Sequence, residues 1–193
     1  MLSITDPSNH TNSGALTAGK LRLFSLHLDF AAGIRARWAT SLILKLAGKP
    51  WVCSSEMWRL DSLLTARAIR KMITAEASQA DVLLVAASSL NHRQTELIQW
   101  LETLTPCPAG TTAPGLLIGL FGDETNQAAE LDWTVKSCMT CAQQANRDFI
   151  WHWMEEPPTG EPEWLTSHGA SFLARKLAAL DHHCLPETTL EFA

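Results

Sequence analysis

Ala80-Asp-Val-Leu-Leu-Val-Ala-Ala-Ser-Ser89 runs straight into Leu90-Asn-His-Arg-Gln-Thr-Glu-Leu-Ile-Gln-Trp-Leu-Glu-Thr-Leu104. From Val82 to Ala87 every residue is apolar, a run short enough for a strand and of the kind found where helices cover both faces of a parallel sheet. Asn91 is placed to cap the helix that follows, which carries Leu97, Leu101 and Leu104 along one side. The pair reads as a central strand and its covering helix.

The same alternation extends in both directions. Upstream, Leu21 to Asp29 has strand-like order, and Ala31 to Ala47 has Ile34, Trp38, Leu42 and Leu46 at successive i+4 positions with Arg35, Arg37 and Lys45 off that stripe. Gly48 and Pro50 end this helix, and Trp51 to Trp58 reads as a second strand. Asp61 or Ser62 then caps a helix with Leu64, Ala68, Met72 and Ala75 as its stripe, widened by Ile69, Ile73 and Ala77. Downstream, a loop rich in Pro and Gly leads to a fourth strand, Leu116 to Phe121. Ala128, Leu131, Val135, Cys138, Ala142 and Ala145 give the cleanest helical period in the chain, and Asp148 to Met154 reads as a fifth strand. Pro162 opens a last helix with Leu165, Phe172, Leu173, Leu177 and Leu180 on its apolar face.

Five strands alternating with five helices imply right-handed crossovers and a parallel sheet covered on both sides. The economical arrangement is an α/β three-layer sandwich with the flavodoxin-like order 2-1-3-4-5; a Rossmann-like order is the competitor. The expected organisation is a mobile arm at 1–20, one α/β domain at 21–181 and a short tail at 182–193.

Ligands of open parallel sheets bind beyond the carboxyl ends of the strands, near the switch point between strands one and three. That rule nominates Asp29 in the first loop, Ser88, Ser89 and Asn91 after the third strand, and Asp123 after the fourth. The middle of the chain, Ala80-Asp-Val-Leu-Leu-Val-Ala86 followed by Trp100-Leu101, resembles the flavodoxin-like NAD(P)H-dependent FMN reductases over residues 80–104. The resemblance implies a flavin-dependent oxidoreductase with Ser88, Ser89 and Asn91 against the isoalloxazine. The first loop departs from that pattern: Leu28-Asp-Phe-Ala-Ala-Gly33 offers no hydroxyl for the flavin phosphate, and Asp29 sets a negative charge beside it. The outline is also similar to response-regulator receiver domains, but the third strand ends Ala86-Ala-Ser-Ser89 and lacks their phospho-acceptor Asp.

Composition narrows the function classes. Among 193 residues, 20 acidic and 15 basic side chains give a net charge of -5, so no broad attraction for nucleic acid or anionic membrane is expected. Arg67, Arg70 and Lys71 form a local basic group that reads as a solvated helix face. Five cysteines, at 53, 107, 138, 141 and 184, make an odd set without a secretory signal and point to reduced thiols in the cytoplasm. Cys138-Met-Thr-Cys141 has redox or zinc spacing, but it sits deep in a helical period and reads as core, so no metal is expected. Eight Trp with no Tyr exclude any tyrosine-based mechanism. Glycine-rich phosphate loops and nucleophile elbows are absent, and nothing in the sequence brings Cys53 to His152. Trp58 and Arg59, and the pair Trp151 and Trp153, have the composition of docking surfaces. The resulting expectation is a regulatory or protein-binding module with a protein partner and no cofactor, with FMN-dependent reduction as the alternative.

Overall fold

A computed structural model describes residues 19–47, 51–88, 93–104, 115–122 and 128–153. Their order is β1 (Gly19–His27), α1 (Phe30–Ala47), β2 (Trp51–Arg59), α2 (Leu60–Thr65), α3 (Arg67–Ser78), β3 (Val82–Ala87), α4 (Arg93–Leu101), β4 (Gly115–Phe121), α5 (Ala128–Gln144) and β5 (Arg147–Trp153). The strands form one parallel sheet in the order β2-β1-β3-β4-β5, which is the flavodoxin-like topology. β3 holds the centre, and all six of its residues are buried, as a strand covered on both faces requires. The residues assigned to the arm through position 18, the last helix and the tail lie outside the described residues.

Alternation along the strands sorts the core into two halves. Phe24, Leu83, Val85, Leu117 and Phe121 face α2 to α5, where they meet Leu63, Ile73, Leu97, Leu101 and Cys138. Leu21, Leu23, Leu84, Ile118 and Leu120 face α1. At the centre of the first half Trp100 is 1% exposed, lies with its ring centroid 6.3 Å from that of Phe24, and donates its indole N–H to Thr74 Oγ1 at 3.0 Å. One side chain thereby ties α4 to both α3 and β1.

Two stretches of helix bury only part of the face their sequence suggests. In α1 the buried residues are Ala32, Arg35, Ala36, Ala39, Thr40, Leu42, Ile43 and Ala47; of the expected stripe Leu42 is buried and Trp38 packs against the core, whereas Ile34 and Leu46 are 43% and 40% exposed. The single helix expected from Asp61 onward is two: Ala66 is extended (φ -151, ψ 138) and separates α2 from α3. An extended residue resets helical phase, so the i+4 stripe counted across it does not face the core. Leu64, Ile69 and Met72 are exposed, and of the expected face only Ile73 and Ala77, from its widened part, are buried. In α5 the expected row holds, with Cys138, Ala142 and Ala145 buried and Leu131 and Val135 packed against them.

The amino end of the sheet is pinned by Arg147. Its guanidinium, in a residue 5% exposed, donates to the carbonyls of Ala80 at 2.8 Å, Ala77 at 3.1 Å and Ser78 at 3.2 Å. These include acceptors at the end of α3, where a cation is favoured by the helix dipole. A Cβ on Gly115 would stand 2.7 Å from Arg147 Nη1, so the neighbouring strand needs glycine there. Beside it Asp81 accepts the Arg22 N–H at 2.7 Å, while burial pushes its carboxyl above the ordinary value.

Candidate functional site

The carboxyl ends of the adjacent strands β1 and β3 bring Asp29 and Ser88 together. Asp29 Oδ1 accepts the Ala32 N–H at 2.8 Å and caps α1, and the Ser88 hydroxyl donates to the same oxygen. Asp29 Oδ2 accepts the Ser88 N–H at 3.0 Å. Burial opposes ionisation of Asp29. The Ala32 N–H, the Ser88 hydroxyl and N–H, and the Arg35 charge outweigh it and hold the carboxyl below its ordinary value. The loop is closed on its other side as well: His27 Nδ1 lies 3.0 Å from the Asp29 carbonyl, and a Cβ on Gly33 would stand 3.0 Å from the His27 ring. In many α/β sites the helix N-terminus after the first strand receives an external anion. Here a side-chain carboxylate of the chain itself is seated there.

Around this closed loop the surface carries an aromatic and two arginines. Phe30, the first residue of α1, is 82% exposed. Arg59 and Arg93 both pair with Asp61, and Arg93 Nε also lies 3.6 Å from Glu96 Oε2. The Arg93 hydrogen bond is the main cause that holds the Asp61 carboxyl below its ordinary value, against slight desolvation, with the charges of Arg93 and Arg59 adding to it. The network joins the end of β2, α2 and the start of α4. Arg93 escapes sequence reasoning because its partner is 32 positions away in the chain, and only the fold brings the two together.

The other expected site residues divide. Ser89, Asn91 and Asp123 lie outside the described residues. Trp58 packs against the core and donates its indole N–H to Glu56 Oε2 at 3.2 Å, leaving Arg59 as the exposed member of that pair. Trp153 also packs against the core, while Trp151 is 45% exposed. The strand order sets Trp58 and Arg59 on one edge of the sheet and Trp151 and Trp153 on the other, so they form two surfaces. For the same reason Cys53 on β2 and His152 on β5 are separated by three strands and do not form a catalytic pair. Cys138 is fully buried, and burial drives its thiol far above the ordinary value. Among the described residues no group of three His, Cys, Asp or Glu side chains is placed to hold a metal ion, and no helix is long and apolar enough to cross a membrane.

No family model matches the chain. No curated protein matches it in sequence. Among solved structures the chain is similar to a short-chain flavodoxin associated with a PDU bacterial microcompartment, at 9% identity and a TM-score of 0.48 over 84% of this chain and 95% of that one. It is also similar to an azoreductase from Bacillus anthracis, at 10% identity and a TM-score of 0.46 over 84% of this chain and 97% of that one.

Proposed function

We propose that this protein is a cytoplasmic binding module of flavodoxin-like shape, which acts by docking a protein partner at the carboxyl edge of its sheet rather than by flavin chemistry. The observation that carries this reading is the Asp29 carboxylate, which already accepts the Ala32 N–H in the first turn of α1 and both Ser88 donors. A flavin phosphate at that helix end would sit against a second negative charge. Two unit charges about 4 Å apart repel by about 4 kcal/mol at an effective dielectric of about 20, which is roughly a thousandfold in affinity. The exposed ring of Phe30 and the exposed guanidinium of Arg59 lie at the same edge and supply the anchor types that dominate protein interfaces. The buried thiols of Cys138 and Cys141, which form no disulfide, suit a reducing compartment.

The test is incubation of the purified protein with excess FMN, followed by gel filtration. A colourless protein is the expected result. Retention of FMN at stoichiometric level overturns the proposal and establishes the reductase alternative as the working one. For the partner, the measure is a paired capture: a protein retained by the wild type is to be lost by Phe30→Asp, and capture indifferent to that substitution counts against this edge.

A further inference from the structure

Apart from the carboxyl-edge loop, a cavity of about 770 Å³ runs along α3, bounded by α2 at one end and by Thr103, after α4, at the other. Its volume falls within the roughly 300–1,000 Å³ range of small-molecule sites. Leu63, Leu64 and Ala75 give it an apolar lining, and Arg67, Arg70 and Lys71 bring three cations to the same space. The group that reads in sequence as a solvated face therefore borders a concave site.

The charges around this cavity are unbalanced. Among the described residues the ion pairs are Arg59 and Arg93 with Asp61, Arg93 with Glu96, and Lys136 with Asp132; none involves Arg67, Arg70 or Lys71. The first turn of α3 has no acidic residue, and Ala66 supplies no side-chain cap, so cations crowd the helix end that favours negative charge. The polar groups deeper in the site are committed elsewhere. Thr74 Oγ1 accepts the Trp100 indole N–H at 3.0 Å, and the Thr103 hydroxyl donates to the Trp100 carbonyl at 2.6 Å. The wall is thus fixed by a buried tryptophan and leaves the apolar lining and the cations to meet a ligand.

We propose that this cavity binds a small anionic amphiphile, a molecule with a carboxylate or phosphate head and an apolar body. The head lies among Arg67, Arg70 and Lys71, and the body covers Leu63, Leu64 and Ala75. Charge complementarity selects the head, and burial of apolar surface holds the body. Because the three cations are exposed, the attraction weakens with added salt. The site is independent of the proposed partner edge and stands or falls separately.

Isothermal titration of the full chain with decanoate, below its micelle concentration, provides the test. A saturable single site is expected, with acetate, which lacks the body, and decanol, which lacks the charge, each at least tenfold weaker. The triple variant Arg67→Gln, Arg70→Gln, Lys71→Gln changes only exposed positions and is expected to weaken decanoate at least tenfold with an unchanged far-UV circular dichroism spectrum. Ala75→Trp fills the cavity with all three charges in place and is expected to abolish binding. No saturable binding of decanoate, equal binding of decanol, or undiminished binding by the triple variant overturns the proposal. So does cosedimentation with phosphatidylglycerol vesicles without binding of free decanoate, which would make the cations a membrane contact.

Discussion

Asp29 concentrates several roles in one carboxylate: it caps α1, fixes Ser88 and joins the first and third loops of the sheet. Replacement by Asn keeps an acceptor for the cap but removes the charge-assisted bonds. A loss of about 1–2 kcal/mol at neutral pH is expected. The folded carboxyl titrates below its unfolded value, so its contribution is fully present above about pH 4. It is lost as pH falls through the folded value. Urea melts of wild type and Asp29→Asn from pH 7 downward should therefore converge at the acid end, and a gap that stays constant to the lowest pH would show that the charge is irrelevant. The sequence nominates Asp29 and Ser88 through their places after the first and third strands. Their mutual bond is not legible there, because it joins positions 59 apart and depends on two loops meeting across adjacent strands.

At the scale of elements, legibility follows how directly burial is written into local pattern. β3 and β4 are buried at every position and appear in the sequence as unbroken apolar runs. α5 buries the face its period predicts. α1 is half legible: Leu42 marks its contact face, but Ala32, Ala36, Ala39 and Ala47 fill much of that face without a signal, and a count of large residues adds Ile34 and Leu46, which lie outside. α2 and α3 are misread for a different reason: one extended residue, Ala66, breaks the phase without a Gly or Pro to announce it. The missing cap at that residue gives a direct test. Ala66→Ser offers a hydroxyl to the open N–H groups of α3 and should raise stability by about 0.5–1 kcal/mol, measured by thermal and urea melts. An unchanged or lower midpoint would mean that those groups are already satisfied.

For the molecule as a whole, the sheet order places the best-protected strands in the middle and leaves β2 as an exposed edge, with Val52 60% and Met57 38% accessible. What holds the distant parts in register at the amino end is the Arg147 clamp, whose three carbonyl partners are 67 to 70 positions away. This geometry has a kinetic consequence. Bonds that close so long a loop form only after β3, β4 and α5 have found their places, so they belong to the descent from the transition state rather than to the climb. Arg147→Met should cost about 2–3 kcal/mol. In a chevron experiment nearly all of that loss should appear as an unfolding limb faster by roughly 30- to 150-fold, with the folding limb almost unmoved. A slowed folding limb would place the clamp in the nucleus. If the expected pattern holds, Arg147 sets the lifetime of the native state more than the speed of reaching it, and a substitution far from either proposed binding surface could shorten how long the protein persists at heat without altering what it binds.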